Sequence, residues 1–196
     1  MVFDWKCWRP SVLGLTVACC WAGAALAQSI PLADRIQSCV ACHGEDGNSR
    51  MENIPSLAGQ PAFFIVNQLI LMRERVRPVE AMMPFVQDLK DEEAVALADH
   101  FAKLPAKPSD EKLDPAMIKR GEAIATAKRC GSCHLPTLAG QEQIPRVAKQ
   151  RIDYLIKSLK EFREGTRLGA DTNMSVAVAG LSDADLAALA HYAASL

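Results

Sequence analysis

Cys39-Val40-Ala41-Cys42-His43 and Cys130-Gly131-Ser132-Cys133-His134 are two copies of C-x-x-C-H, the attachment sequence for c-type haem. Cys39, Cys42, Cys130 and Cys133 supply thiols that add to haem vinyl groups. His43 and His134 follow at once and reach the iron from the proximal side. Two such pentapeptides in one short chain predict two covalently bound haem c groups. A zinc site built from two cysteine pairs and a disulfide framework are the competing readings. A disulfide framework does not explain a histidine directly after both pairs, and the long stretch between Cys42 and Cys130 belongs to a repeated unit, which speaks against a shared zinc site.

The copies belong to an internal duplication. The haem motifs match at an offset of 91 residues. Ile54-Pro55, Ala58, Gln60, Leu69 and Arg73-Glu74 recur 90 residues later as Ile144-Pro145, Ala148, Gln150, Leu159 and Arg163-Glu164. Met82, Leu89 and Asp91 recur 92 residues later as Met174, Leu181 and Asp183. The chain therefore divides into a domain at 28–104, a polar, proline-stiffened linker at 105–113 and a second domain at 114–196. Domains this small bury little apolar surface of their own, so a large rigid cofactor at the centre of each is expected to support folding.

Each half reads as helical, and no segment reads as a convincing strand. Asp114-Pro115 is an N-cap followed by proline at the first helical position, opening a helix towards Lys128. Gln60–Arg75 and Gln150–Glu164 carry apolar residues at helical spacing. Acids at Asp91-Glu92-Glu93 and at Asp183 and Asp185 open a last helix in each half, where the helix dipole favours them.

The sixth iron position has a candidate at the same place in each copy. Met82 lies 39 residues after His43 and Met174 lies 40 after His134. A thioether is a soft neutral ligand that favours ferrous iron and raises the potential. Methionines in helical proteins are ordinarily packing residues. Met51, Met72 and Met117 have no counterpart in the other half, whereas Met82 and Met174 match; Met83 is the alternative to Met82. His100 and His191 do not align with each other and read as surface or packing residues. Pro55 and Pro145 each offer a carbonyl to the far nitrogen of the proximal histidine, or simply a turn.

Residues 1–27 read as a secretory signal, with Lys6 and Arg9, an apolar run from Val12 to Leu26 and Ala25-Leu26-Ala27 as the cleavage site. The run is short for a membrane span of about 20 residues. Cys7, Cys19 and Cys20 fall inside residues 1–27, so the exported chain is expected to keep only the four haem-type cysteines. Residues 28–104 carry 7 basic and 11 acidic side chains, and residues 114–196 carry 11 basic and 9 acidic. A dipole of this kind orients a protein on a charged partner. With no strong basic excess, nucleic-acid binding is not expected.

Taken with Leu57-Ala58-Gly59-Gln60, the helices of Phe64 and Tyr154, and Met82-Met83-Pro84 with Leu89, these motifs resemble the class I cytochromes c of the dihaem cytochrome c4 type. The resemblance implies an all-α chain of two tandem class I cytochrome c domains related by pseudo-twofold symmetry, with haem propionates towards the interface. It also implies a periplasmic electron carrier, loosely membrane-associated in some members. Expected partners are membrane or periplasmic redox proteins: a terminal oxidase, a bc1-type complex or a dehydrogenase. The alternatives are the dedicated cytochrome subunit of a dehydrogenase, and a haem enzyme such as a thiosulfate dehydrogenase or peroxidase. Leu135 departs from the pattern, standing where the first copy has Gly44. Arg73, Arg75 and Arg77 are candidates to face haem propionates.

Overall fold

The computed structural model describes residue 1, residues 30–169 and residues 171–196. The expected signal and its cleavage site, with Cys7, Cys19 and Cys20, lie outside the described residues apart from Met1. Helices dominate what is described, and the one extended pairing is an isolated bridge between Gln141 and Ile144.

The first half is built from α1 (Leu32–His43), α2 (Ala62–Arg73), a 3₁₀ turn (Glu80–Met82), the one-turn α3 (Met83–Val86) and α4 (Asp91–Ala102). Its core gathers Val40, Ile65, Leu89, Ala94, Leu97, Ala98 and Phe101. α4 begins at the expected acids. Glu93 accepts from the Lys90 backbone N–H at 2.9 Å, satisfying a donor that the first turn leaves free. Arg35 of α1, buried among these elements, pairs with Glu93 at 3.1 Å and Asp88 at 3.2 Å, tying the first helix to the last.

The second half repeats the plan as α5 (Pro115–Ala127), α6 (Gly131–His134), α7 (Ile152–Arg163), α8 (Thr172–Val178) and α9 (Asp183–Ser195). Asp114 caps α5 as its sequence predicts, accepting from the N–H groups of Ala116 and Met117. α5 and α9 cross closely because Gly121 has no side chain. A Cβ there would stand 2.1 Å from the Ala188 carbonyl oxygen, well inside van der Waals contact. α2 and α7 start at residues 62 and 152, two residues later than periodicity suggests. Pro61 and Arg151 are extended (ψ 131° and 135°), and the glutamines before them face the other half.

Those glutamines make the seam. Gln60 donates to the Arg146 carbonyl at 2.9 Å and accepts from the Arg146 N–H at 3.0 Å. Gln150 donates to the Ser56 carbonyl at 2.9 Å and accepts from the Ser56 N–H at 2.8 Å. Each primary amide thus stands in for a peptide group of the other half. The two pairings are related by the 90-residue repeat, so the contact has the reciprocity of a twofold interface.

The linker is docked at both ends. Asn48 accepts from the Lys107 N–H at 2.9 Å and donates to the Pro105 carbonyl at 3.1 Å. Further on, Asp110 pairs with buried Arg151 at 3.1 Å. Glu111 accepts from the N–H groups of Ile152 and Asp153 at 2.7 and 3.0 Å, so a linker carboxylate caps α7 from outside that helix.

Candidate haem-binding sites

Cys39 and Cys42 lie one helical turn apart near the end of α1, with His43 as its last residue. In the second half the same pentapeptide sits differently. α5 ends at Ala127, Arg129 turns the chain at φ +54°, and α6 carries Cys133 and His134 as a separate short helix. Both arrangements leave the thiols half-buried or exposed and unpaired with each other. Burial pushes Cys39 up to about 11 against the opposing pull of Arg35, and it also raises Cys130. These are not the activated thiolates of a redox-catalytic C-x-x-C. The two pairs are not brought together: among the described residues no group of three or more His, Cys, Asp or Glu side chains is placed to hold a metal ion.

The histidines carry the clearest geometry. His43 and His134 are 6% and 7% exposed. Their Nδ1 atoms each lie 2.8 Å from a proline carbonyl, Pro55 and Pro145 respectively. The carbonyl can only accept, so Nδ1 carries the proton and Nε2 is left as the free lone pair. Burial lowers both pKa values, with the proline carbonyls pulling the other way. Each imidazole is thus neutral and oriented, with Nε2 making no hydrogen bond among the described residues. Of the two readings of those prolines, the carbonyl strut is the one the structure builds. Two thiols beside one oriented imidazole, present twice, form the donor set that haem c requires.

The methionines differ in setting. Met82 closes the 3₁₀ turn and is half-buried, whereas Met83 is fully buried against Met72 and Val86. Met174 is half-buried on α8, a helix of seven residues. His100 stacks edge-on against Phe101 at 5.0 Å, and His191 Nδ1 accepts from the Asp114 N–H at 3.2 Å. Both have the packing roles expected of them.

Of the three arginines expected near propionates, Arg73 is committed to the surface. It bonds Asp91 and the Leu89 carbonyl, both at 2.7 Å, and Arg163 repeats this on Asp183 and the Leu181 carbonyl. Arg75 is exposed at φ +56°. Arg77 alone turns inward, donating to Gln68 at 2.7 Å. Its repeat counterpart Arg167 bonds Tyr154 at 3.2 Å and Glu161 at 2.7 Å. Burial raises the Tyr154 phenol, but Arg167 and Arg77 outweigh it and bring it down to about 8. Tyr154 therefore lies close to a guanidinium from each half.

An all-helical chain presenting two thioether-forming motifs with two strutted histidines is a dihaem c-type cytochrome. It carries two covalently bound haem c groups and transfers electrons between redox partners. Residues 118–196 match the family profile described as cytochrome c, and residues 33–101 match that of cytochrome C oxidase, cbb3-type, subunit III. Cytochrome c4 of Pseudomonas aeruginosa is 34% identical over 191 residues, covering 92% of each chain. The crystal structure of reduced recombinant cytochrome c4 from Pseudomonas stutzeri superposes with a TM-score of 0.75 at 30% identity, covering 86% of this chain and all of that one. A thiosulfate dehydrogenase electron acceptor of Thiomonas intermedia is 29% identical, covering 89% of this chain and 85% of its own. The chain belongs to the cytochrome c4 family.

Proposed function

We propose that the protein is a one-electron shuttle with no substrate turnover of its own, both irons being closed by histidine and methionine: His43 with Met82 and His134 with Met174. The two carriers occupy residues 28–104 and 114–196. The observation that carries this reading is the pair of proline struts, which leave Nε2 of each buried histidine available to iron. Met82, not Met83, matches Met174 in the repeat, which favours Met82 as the ligand. A neutral thioether opposite a neutral imidazole raises the potential and occupies the position where oxygen or peroxide would bind.

Export by the 1–27 signal places the carrier in the periplasm, handing electrons to a terminal oxidase or taking them from a bc1-type complex or a dehydrogenase. No described helix is long and apolar enough to cross a membrane. A dedicated role beside one dehydrogenase is the second reading, favoured by the relative named as an electron acceptor of thiosulfate dehydrogenase.

Optical spectroscopy of the oxidised protein tests the ligation. The sulfur-to-ferric charge-transfer band is expected at full strength in the wild type. It should fall by about half in Met82→Ala and again in Met174→Ala, as one of two equivalent absorbers is removed in each. Carbon monoxide binding by the reduced wild type at neutral pH would overturn the carrier reading, because it requires an open iron.

A further inference from the structure

Arg146 is 5% exposed and makes no ion pair among the described residues. Its guanidinium donates to two backbone carbonyls, that of Ala148 in its own half and that of Ala58 across the seam at 2.8 Å. Its Nε is a buried donor with no partner among the described residues. Burial alone lowers its pKa, to about 10. Two carbonyls and a free N–H are poor compensation for a cation withdrawn from water, which costs several kcal/mol unless an anion faces it. The fold does not need a cation here, since the repeat places Ser56 at the equivalent position and makes the same seam hydrogen bonds through its backbone.

Pro145, next to Arg146, is the strut on His134, so a haem held by that histidine would lie beside this part of the chain, and its propionates are the anions such a group would bring. Resting on the dihaem reading above, we propose that Arg146 is a positioning residue: the buried counter-charge of a haem propionate at the seam, which raises the reduction potential by neutralising that carboxylate. A fixed positive charge near the iron favours the ferrous state, which carries one positive charge fewer. Its asymmetry, arginine in one half and serine in the other, makes the two haems inequivalent although their ligands repeat.

The test is redox titration of the dihaem protein as wild type, Arg146→Gln and Arg146→Lys, with mass and haem content measured on each. Gln keeps a donor for the carbonyls but loses the charge, while Lys keeps the charge but loses the fork. Arg146→Gln is expected to shift the ferric-to-ferrous ratio of at least one haem about tenfold towards ferric, which is about 59 mV for one electron. Arg146→Lys is expected to recover most of that. If Arg146→Gln does not fold, Arg146→Met replaces it, since its apolar chain fills the same space. Unchanged potentials in a variant holding two haems would overturn the proposal, as would a Lys variant shifted as far as Gln. A wild type lacking two haems would instead sink the dihaem reading itself.

Discussion

Leu135 and Gly44 follow equivalent histidines and turn the chain the same way, at φ +68° and +88°. Gly44 is required where it stands, because a Cβ would lie 2.3 Å from the Asn48 carbonyl oxygen. Leu135, at φ 68° and ψ 157°, occupies a region that is essentially glycine's alone and costs a side-chain-bearing residue about 1–3 kcal/mol. Glycine would relieve that strain, at a cost of roughly 0.5–1 kcal/mol in unfolded-chain entropy. Leu135→Gly is therefore expected to stabilise the holoprotein by about 1 kcal/mol, read as a rise of a few degrees in melting temperature. A fall would mean that the leucine side chain packs on the haem rim strongly enough to repay its backbone. At this scale the sequence was most legible where chemistry is local. The C-x-x-C-H pairs announce themselves, whereas the spacing of Pro55 and Pro145 left a carbonyl strut and a simple turn open, and the structure places both carbonyls 2.8 Å from the histidines. Asn48 and Glu111 gave no such signal, because their partners lie 41 to 59 residues away and no local pattern records them.

Helices were legible through their ends. Asp114 caps α5 as its side-chain type predicted, and the acids Asp183 and Asp185 marked the start of α9, but the Ser182–Asp185 capping pair emerged only from the structure. The late starts of α2 and α7 were not, since Gln60 and Gln150 fit a helical period and only the seam explains why they stand outside it. Nor was the break that separates α6 from α5, where the equivalent residues of the first half continue one helix. The α9 cap carries a pH dependence. The Ser182 hydroxyl and then the Arg120 guanidinium hold Asp185 at about 2, below its ordinary 3.8. A carboxyl whose folded pKa is depressed contributes stability that is whole above about 4 and lost as pH falls towards 2. Asp185 also accepts from Arg120 of α5 at 2.7 Å, so its protonation loosens the α5–α9 crossing as well as the cap. In melts followed from pH 6 to pH 2, the wild type should lose more stability than Asp185→Asn, and the two curves should converge at the acid end. Parallel curves would remove Asp185 from the acid response. The comparison between variants subtracts the protonation of haem ligands, which both proteins share.

At the scale of the molecule, the repeat disclosed two like halves but not how they meet, because a repeated residue is known to have the same role twice without its partner being known. The structure pairs Gln60 with the Arg146 backbone and Gln150 with the Ser56 backbone, four hydrogen bonds in two reciprocal pairs, all at buried positions. Removing one glutamine leaves a buried peptide N–H and carbonyl unpaired, at about 1–3 kcal/mol for each stranded group. The linker's hold through Asn48 and Glu111 is untouched, so the halves stay tethered and the loss is one of docking. Gln60→Ala and Gln150→Ala should each lower the melting temperature, and by symmetry by similar amounts. The double variant should separate one calorimetric transition into two, each half then melting on its own. Its haem spectra should be unchanged, because the proline struts on His43 and His134 belong to each half separately. A double variant that still melts in a single transition would mean that apolar contact, the linker and the Arg146–Ala58 bond dock the halves, and that the glutamines only set their register.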